Sequence, residues 1–266
     1  MEYQKFIPEG WEEEEYHYSV KEIEDAYRDG TVIQSKVVKC DDECNLHVDL
    51  GNGIQGTIPK EEVDLSIDED NANNHRICKN KVNQFVQFKV KSIENNSRYI
   101  LSRKAVEDDA LAWIKNELKE GMVVKGIVKN IRKFGAFIEI GGGIVALLHI
   151  EDISVSRIRT PEERFKVGDK IDVMIKSIDR ETGKVVLTYK QLLGDWDKNV
   201  EQFKEKTIVD GIVKDVNTNK DGIFIELMPN LVGLAEFKDG YEYGQRVKVL
   251  TKRIIKDKKK IKLVIV

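Results

Sequence analysis

The chain has 266 residues, 34% of them charged and 41% hydrophobic, and a formal net charge of −3. That length suits two or three domains, and so high a charged fraction suits small ones with much surface each. No apolar run reaches the roughly eighteen residues a membrane-spanning helix needs, and none follows Met1-Glu2-Tyr3-Gln4-Lys5, so no secretory leader is expected and the chain is expected in the cytoplasm.

Residues 1–29 hold 3 basic and 10 acidic side chains, net −7. The glutamate run at 12–15 reads as a solvated tail, and residues 1–18 as loosely ordered. Ser19-Val20-Lys21-Glu22 is a capping box, and Gly30 stands where the helix it starts should stop. Residues 30–104 then read as a β domain, with a second strand at 45–50 and a closing hairpin of 86–93 with 99–103. A second helix is predicted over 105–118, inside a connection at 105–120, carrying Ala110, Leu111, Trp113, Ile114 and Leu118. A second β domain follows at 121–191, with Gly135-Ala136-Phe137-Ile138-Glu139-Ile140 as its second strand and 171–178 with 185–190 as its closing hairpin. A third helix is predicted over 192–203, with Trp196 and Val200, inside a connection at 192–205. The last β domain, 206–266, has Gly222-Ile223-Phe224-Ile225-Glu226-Leu227 and a hairpin of 247–254 with 261–266.

These three β segments are one pattern repeated. Each has a glycine at or before its first strand, a second strand, a glycine turn, a short apolar stretch, a loop and a closing hairpin. Five short strands with period-2 alternation in about 70 residues predict a small closed barrel of the OB kind. The expected architecture is therefore mainly β, with three tandem five-stranded antiparallel barrels joined by short helices. Gly126, inside a first strand, lets that strand bend around a small barrel. Gly141-Gly142-Gly143 reads as a strand turn.

Charge is distributed unevenly over the repeats. Residues 30–104 are neutral, 121–191 carry +4 and 206–266 carry +5. Phosphate attraction acts over about a Debye length, ~8 Å, so the local sign outweighs the total. In the strand 135–140, Phe137 shares a face with Glu139, which should be solvated. Phe137 should then be exposed as well, close in sequence to Phe134, Lys125, Lys129, Arg132 and Lys133. Exposed aromatics in a positive groove form a platform for stacking unpaired bases; the structural alternative is that Phe137 packs under a loop or against a connecting helix.

Cys40, Cys44, His47, His75 and Cys78 are possible zinc ligands, but their spacing matches no zinc signature, and no metal or other cofactor is expected. There is no phosphate-cradling glycine loop, and the histidines at 17, 47, 75 and 149 accompany no sensible nucleophile, so no enzymatic activity is expected.

The middle repeat runs Gly126-Ile127-Val128-Lys129-Asn130-Ile131-Arg132-Lys133-Phe134-Gly135-Ala136-Phe137-Ile138-Glu139-Ile140. It continues through Ala146-Leu147-Leu148-His149-Ile150, Val167-Gly168-Asp169-Lys170-Ile171 and Ile178-Asp179-Arg180. It closely resembles the S1 RNA-binding domain, and the flanking repeats resemble the same domain with weaker motifs. The three-repeat order with its tryptophan-bearing helices resembles short bacterial members of the ribosomal S1 family. That resemblance implies base stacking by Phe134 and Phe137, joined by His149, and an RNA-facing closing turn with Asp179, Arg180 and Lys184. Read alone, His149 is a loop histidine bonded to backbone, and Asp179 can equally serve the turn itself.

The first repeat has Cys44, His47 and Pro59 where the middle one has Phe134, Phe137 and His149. It lacks the stacking pair, and the resemblance turns it toward the small ribosomal subunit. The third keeps Phe224 in the place of Phe137 but has Asp221 and Glu236 at the other two positions. Its basic closing turn, Lys256-Asp257-Lys258-Lys259-Lys260, is expected to hold phosphates. The function expected is single-stranded mRNA binding in translation. The alternatives are a ribosome-independent regulator of mRNA stability or transcription, and a protein-interaction scaffold.

Overall fold

A computed structural model describes residues 4–11, 16–67, 74–94, 98–216 and 222–266. The glutamate run at 12–15 and Asp221 lie outside the described residues. The chain forms two compact units. One comprises residues 1–127, 138–146 and 178–185; the other comprises 128–137, 147–177 and 186–266, so the middle repeat contributes to both.

Helix α1 (Val20–Asp29) begins on the capping box, with Ser19 accepting from the Glu22 amide, and ends at Gly30 in the left-handed region. Strands β1 (Ile33–Cys40), β2 (Leu46–Gly51) and β3 (Ile54–Ile58) follow. Then come the short helix α2 (Asn74–Lys79), β4 (Phe85–Glu94), β5 (Arg98–Ser102) and helix α3 (Lys104–Asn116). The middle repeat supplies β6 (Val123–Arg132), β7 (Gly135–Glu139), β8 (Val145–His149), β9 (Lys170–Ile178) and β10 (Val185–Thr188). After the five-residue helix α4 (Trp196–Val200), the last repeat supplies β11 (Ile208–Val216), β12 (Ile223–Met228), β13 (Leu231–Ala235), β14 (Arg246–Ile255) and β15 (Lys260–Ile265). Helix α4 is much shorter than the sequence predicts.

Each repeat closes into a barrel with the same strand order: β1-β2-β3-β5-β4, β6-β7-β8-β10-β9 and β11-β12-β13-β15-β14. One pairing departs from the antiparallel expectation. β3 runs parallel to β5, β8 to β10 and β13 to β15. Strands joined by a hairpin must be antiparallel, whereas these partners are separated by a long connection and a further strand, which lets the barrel close in parallel. Glycine makes room at this seam. A Cβ on Gly56 would stand 2.4 Å from Leu101 Cδ1, and one on Gly233 would stand 2.5 Å from Leu263 Cδ1.

Alternate residues fill the barrels. Val37, Leu46, Val48, Ile58, Val86, Phe88 and Leu101 belong to the first core. Val213, Ile223, Ile225, Val249 and Leu263 belong to the last. The three thiols are free, and burial, with Cys44 and Cys40 nearby, pushes that of Cys78 up to about 12, so it stays protonated. Among the described residues, no cluster of His, Cys, Asp and Glu could hold a metal ion, and no helix is long and apolar enough to cross a membrane.

Within the N-terminal segment, residues 6–9 are packed rather than loose. Phe6 is buried and tilted against Trp113 with ring centroids 5.9 Å apart. Glu9 is buried and binds Arg103 through two oxygens, at 2.7 and 3.0 Å, and Arg103 is 1% exposed. The same guanidinium donates to Val63 O at 3.0 Å and binds Glu107, with Asp64 at 3.3 Å. The composition of residues 1–29 conceals this, because a net charge does not register that Glu9 meets a buried guanidinium from residue 103.

Burial by itself raises the Glu9 carboxyl, but Arg103 and Lys81 bring it down to about 2. Glu107 shares Arg103 with two other carboxylates, and burial pushes it up to about 7. Between its ordinary 4.5 and about 7, Glu107 holds more proton in the folded chain than in the unfolded one, so its contribution to stability falls as pH rises through that window. Glu107→Gln is expected to gain on the parent in melting temperature as pH rises from 4.5 to 7. A parent-to-variant difference that stays flat over that range would sink this assignment.

Candidate nucleic-acid interface

The β6–β7 hairpin carries the aromatic pair. Phe134 sits at its turn and is 51% exposed, while Phe137 on β7 is half-buried. Their rings meet edge to face with centroids 6.0 Å apart, an arrangement that leaves ring faces available. Gly135, between them, is required by a close approach. A Cβ there would lie 2.6 Å from Leu148 O and 3.2 Å from His149 Cα. The Ile150 amide donates to Phe134 O at 2.9 Å, which ties the end of β8 to the hairpin turn. Phe134, Phe137 and His149 are thereby brought together. Lys129, Arg132 and Lys133, on the same hairpin, are exposed.

His149 caps a single 3₁₀ turn at Ile150–Asp152, its Nδ1 accepting from the Glu151 amide at 3.4 Å. A neutral ring then carries its proton on Nε2. The side chain is 40% exposed, with the Glu151 carboxylate 3.8 Å away. Asp152, the last residue of that turn, was not singled out by the sequence. Burial would raise it, but it holds Lys176 at 2.6 Å and Lys190 at 3.1 Å, which keep it below the usual carboxylate range. It fixes two lysines near the same end of the barrel.

The premise for exposing Phe137 is corrected by the structure. Glu139 is 1% exposed, not solvated. It accepts from the Glu9 amide at 2.8 Å and the Gly143 amide at 3.3 Å. The cover comes from a segment some 130 residues earlier in the chain, which alternation along one strand does not register. Lys125 is also engaged by that segment, with its Nζ 5.1 Å from the centre of the Trp11 ring.

The closing turn of the middle repeat is likewise occupied. Asp179 accepts from the Thr182 hydroxyl and from the Thr182 and Glu181 amides, and these bonds lower its pKa. Arg180 donates to Ile114 O at 2.7 Å, Lys115 O at 2.9 Å and Leu118 O at 2.6 Å. Its guanidinium completes the carboxyl end of α3, where the unpaired carbonyls favour a cation. Lys184 is exposed. The turn thus serves the linker helix through Arg180, which an isolated hairpin motif does not reveal.

Strand register aligns the outer barrels. Lys39 pairs with His47 and Asp215 with Phe224, each just past a bulge in the first strand. His47 and Phe224 therefore occupy equivalent positions. Phe224 is 41% exposed opposite Leu234, itself 40% exposed, whereas His47 is bound to Asp41 at 3.1 Å. Cys44, in the place of Phe134, is buried. In the basic closing turn, Lys259 pairs with Asp197 at 3.1 Å.

Small closed barrels with aromatics displayed among basic side chains define a class of single-strand nucleic-acid-binding module. The S1 RNA binding domain profile matches residues 26–104 and 117–190, more than half of the chain, and the chain belongs to that family. It is 37% identical over 162 residues to small ribosomal subunit protein bS1 of Staphylococcus aureus (strain COL), covering 59% of this chain and 41% of that one. It is 33% identical over 223 residues to small ribosomal subunit protein bS1 of Leuconostoc lactis, covering 79% and 47%. The chain spans less than half the length of these two curated relatives. Among solved structures, a Streptococcus pneumoniae multidomain protein with nucleic acid binding domains aligns over 89% of this chain and 73% of its own, at 14% identity and a TM-score of 0.27.

Proposed function

We propose that this protein binds single-stranded RNA without catalysing a reaction, and that it does so in translation. The observation that carries the reading is the pair Phe134 and Phe137 on a hairpin with Lys129, Arg132 and Lys133 exposed, and His149 beside it at the end of β8. Bases stack on the rings and the cations hold phosphates, so sequence preference is weak. Phe224 and the lysines of the last closing turn extend the contact, and exposed Lys184 adds charge. Arg180 and Lys125 act mainly within the protein. Translation is supported by the relatives, which are small ribosomal subunit proteins. The first barrel, which has His47 and Cys44 in place of the stacking pair, is the one assigned to the small ribosomal subunit. Co-sedimentation of the full chain with ribosomes tests that part.

Unstructured RNA is expected to bind more tightly than duplex RNA of equal length, because duplex bases are already stacked on one another. Equal affinity for the two forms would remove the stacking model. Raising the salt concentration is expected to weaken binding with a log–log slope of about −0.7 for each phosphate neutralised on a single strand. A slope near zero would mean that the lysines and arginines do not touch the backbone.

A further inference from the structure

Beside the aromatic cluster lies a recess of about 510 Å³, lined by Ile150, Ser154, Val155, Arg157, Ile158 and Lys190 among others. That volume falls in the range of about 300–1,000 Å³ typical of small-molecule sites. Ile150 directly follows His149, and its amide is the one bonded to Phe134 O, so the wall of the recess begins one residue from the platform. The walls mix two chemistries. Ile150 and Ile158 are largely covered, and Val155 is 67% exposed, a large apolar side chain left at the surface. Two cations belong to the recess. Arg157 is 80% exposed and meets the carboxylate of Asp215, 45% exposed, at 3.5 Å, a pair that water screens strongly. Lys190 lies between Asp152 Oδ1 at 3.1 Å and Glu151 O at 3.0 Å. The opposing charge is the exposed Glu151, since Asp152 is already balanced by Lys176 and Lys190.

The recess is held in shape by the third barrel. Asn230, 7% exposed in the β12–β13 turn, accepts from the Val155 amide at 3.0 Å. It donates to Lys190 O at 2.6 Å and Gly194 O at 2.9 Å, and so ties both sides of the recess. The Ser156 amide donates to Pro229 O at 2.9 Å, and the Ser156 hydroxyl binds the buried Glu226, which Arg164 also reaches at 2.5 Å. A rim pinned by this many bonds presents its apolar and cationic groups in one arrangement, which lowers the ordering cost of binding.

We infer that this recess binds one nucleotide of the RNA strand lying on Phe134 and Phe137, its base against Ile150, Val155 and Ile158 and its phosphate toward Arg157, with Asn230 as the positioning residue. The inference rests on the RNA-binding reading and adds to it a site that the stacking platform does not contain. Apolar walls suit the faces of a base and cations suit its phosphate, and the recess adjoins the aromatic platform through Ile150, so a nucleotide of the strand stacked there satisfies both where a purely apolar ligand satisfies one.

The test uses the full chain and a short labelled oligouridylate, with single abasic substitutions scanned along it. Val155→Gln changes an exposed residue without adding charge, and Asn230→Ala removes the tie. In the parent, one or more abasic positions are expected to cost about tenfold in affinity, the usual order for a lost base contact. In Val155→Gln, overall affinity is expected to fall by about as much and the sensitivity at one of those positions to vanish. Asn230→Ala should reproduce that loss at the same position, and if it fails to fold, Val155→Gln still decides. If Val155→Gln keeps the parent's affinity and abasic pattern while Phe137→Ala weakens binding, the recess is empty and the stacking reading survives. If neither variant weakens binding, the RNA reading falls together with this one.

Discussion

Arg103→Ala is expected to destabilise the protein by roughly 3–5 kcal/mol, the usual cost of removing one partner from a buried ion pair. The guanidinium is 1% exposed and holds Glu9 and Glu107, themselves 5% and 4% exposed, together with the Val63 carbonyl. Without it, two buried carboxylates lose their shared guanidinium, and Lys81, 3.7 Å from Glu9, is the cation left beside them. Folding would then require at least one of them to take up a proton. The loss should be larger at pH 8 than at pH 5, because the stranded carboxylates are neutralised more easily in acid. Urea titrations at the two pH values measure it. A loss under about 1 kcal/mol, or one independent of pH, would mean that these groups reach water after all. Replacing Glu9, Arg103 and Glu107 together by apolar residues is expected to cost far less than Arg103→Ala alone, since neither buried carboxylate is then stranded, and Lys81 and Asp64, 21% and 22% exposed, still reach water.

Phe137→Ala is expected to cost roughly 1–3 kcal/mol of single-stranded RNA affinity, the value of one stacked base. Phe137 is half-buried and packs edge-on against Phe134, so part of its area supports the neighbouring ring rather than the core. The fold should therefore survive, which a thermal melt of the variant checks before any titration is read. Phe224→Ala should cost less, because the third barrel displays one exposed ring opposite Leu234 instead of a pair of aromatics. His47→Ala should cost least, because that ring is bound to Asp41 and its neighbour Cys44 is buried. If Phe137→Ala unfolds the chain, the ring belongs to the core. If the His47 change proves the most damaging, RNA lies on the first barrel and the division of labour is reversed.

The three barrels were legible because the signals for them are local. Alternation along β7, glycines at turns and the repeated order of strands each depend on a few adjacent residues, and the strand limits agree with the pattern to within one or two positions for the closing hairpins. The capping box at Ser19 is likewise contained in four residues. The aromatic and basic residues of the middle hairpin stood out for the same reason, as they are neighbours in sequence before they are neighbours in space. The parallel seam between the third and fifth strands was not legible, since no connection of hairpin length joins them.

By itself, then, the sequence determined the number of barrels, their strand order along the chain, and which hairpin carries an aromatic pair among basic residues. The tertiary structure alone decided what becomes of individual charged side chains. Glu139 and Glu226 occupy equivalent strand positions and look like solvated carboxylates, yet both are buried. One is met by the Glu9 amide, the other by Arg164, Lys214 and Ser156. Arg180 looks like a free cation at a hairpin tip and instead closes the end of a helix 62 to 66 residues away. A charged group is tolerated inside a protein only where a partner arrives to replace water, and that partner comes from a distant part of the chain whose approach no local pattern encodes.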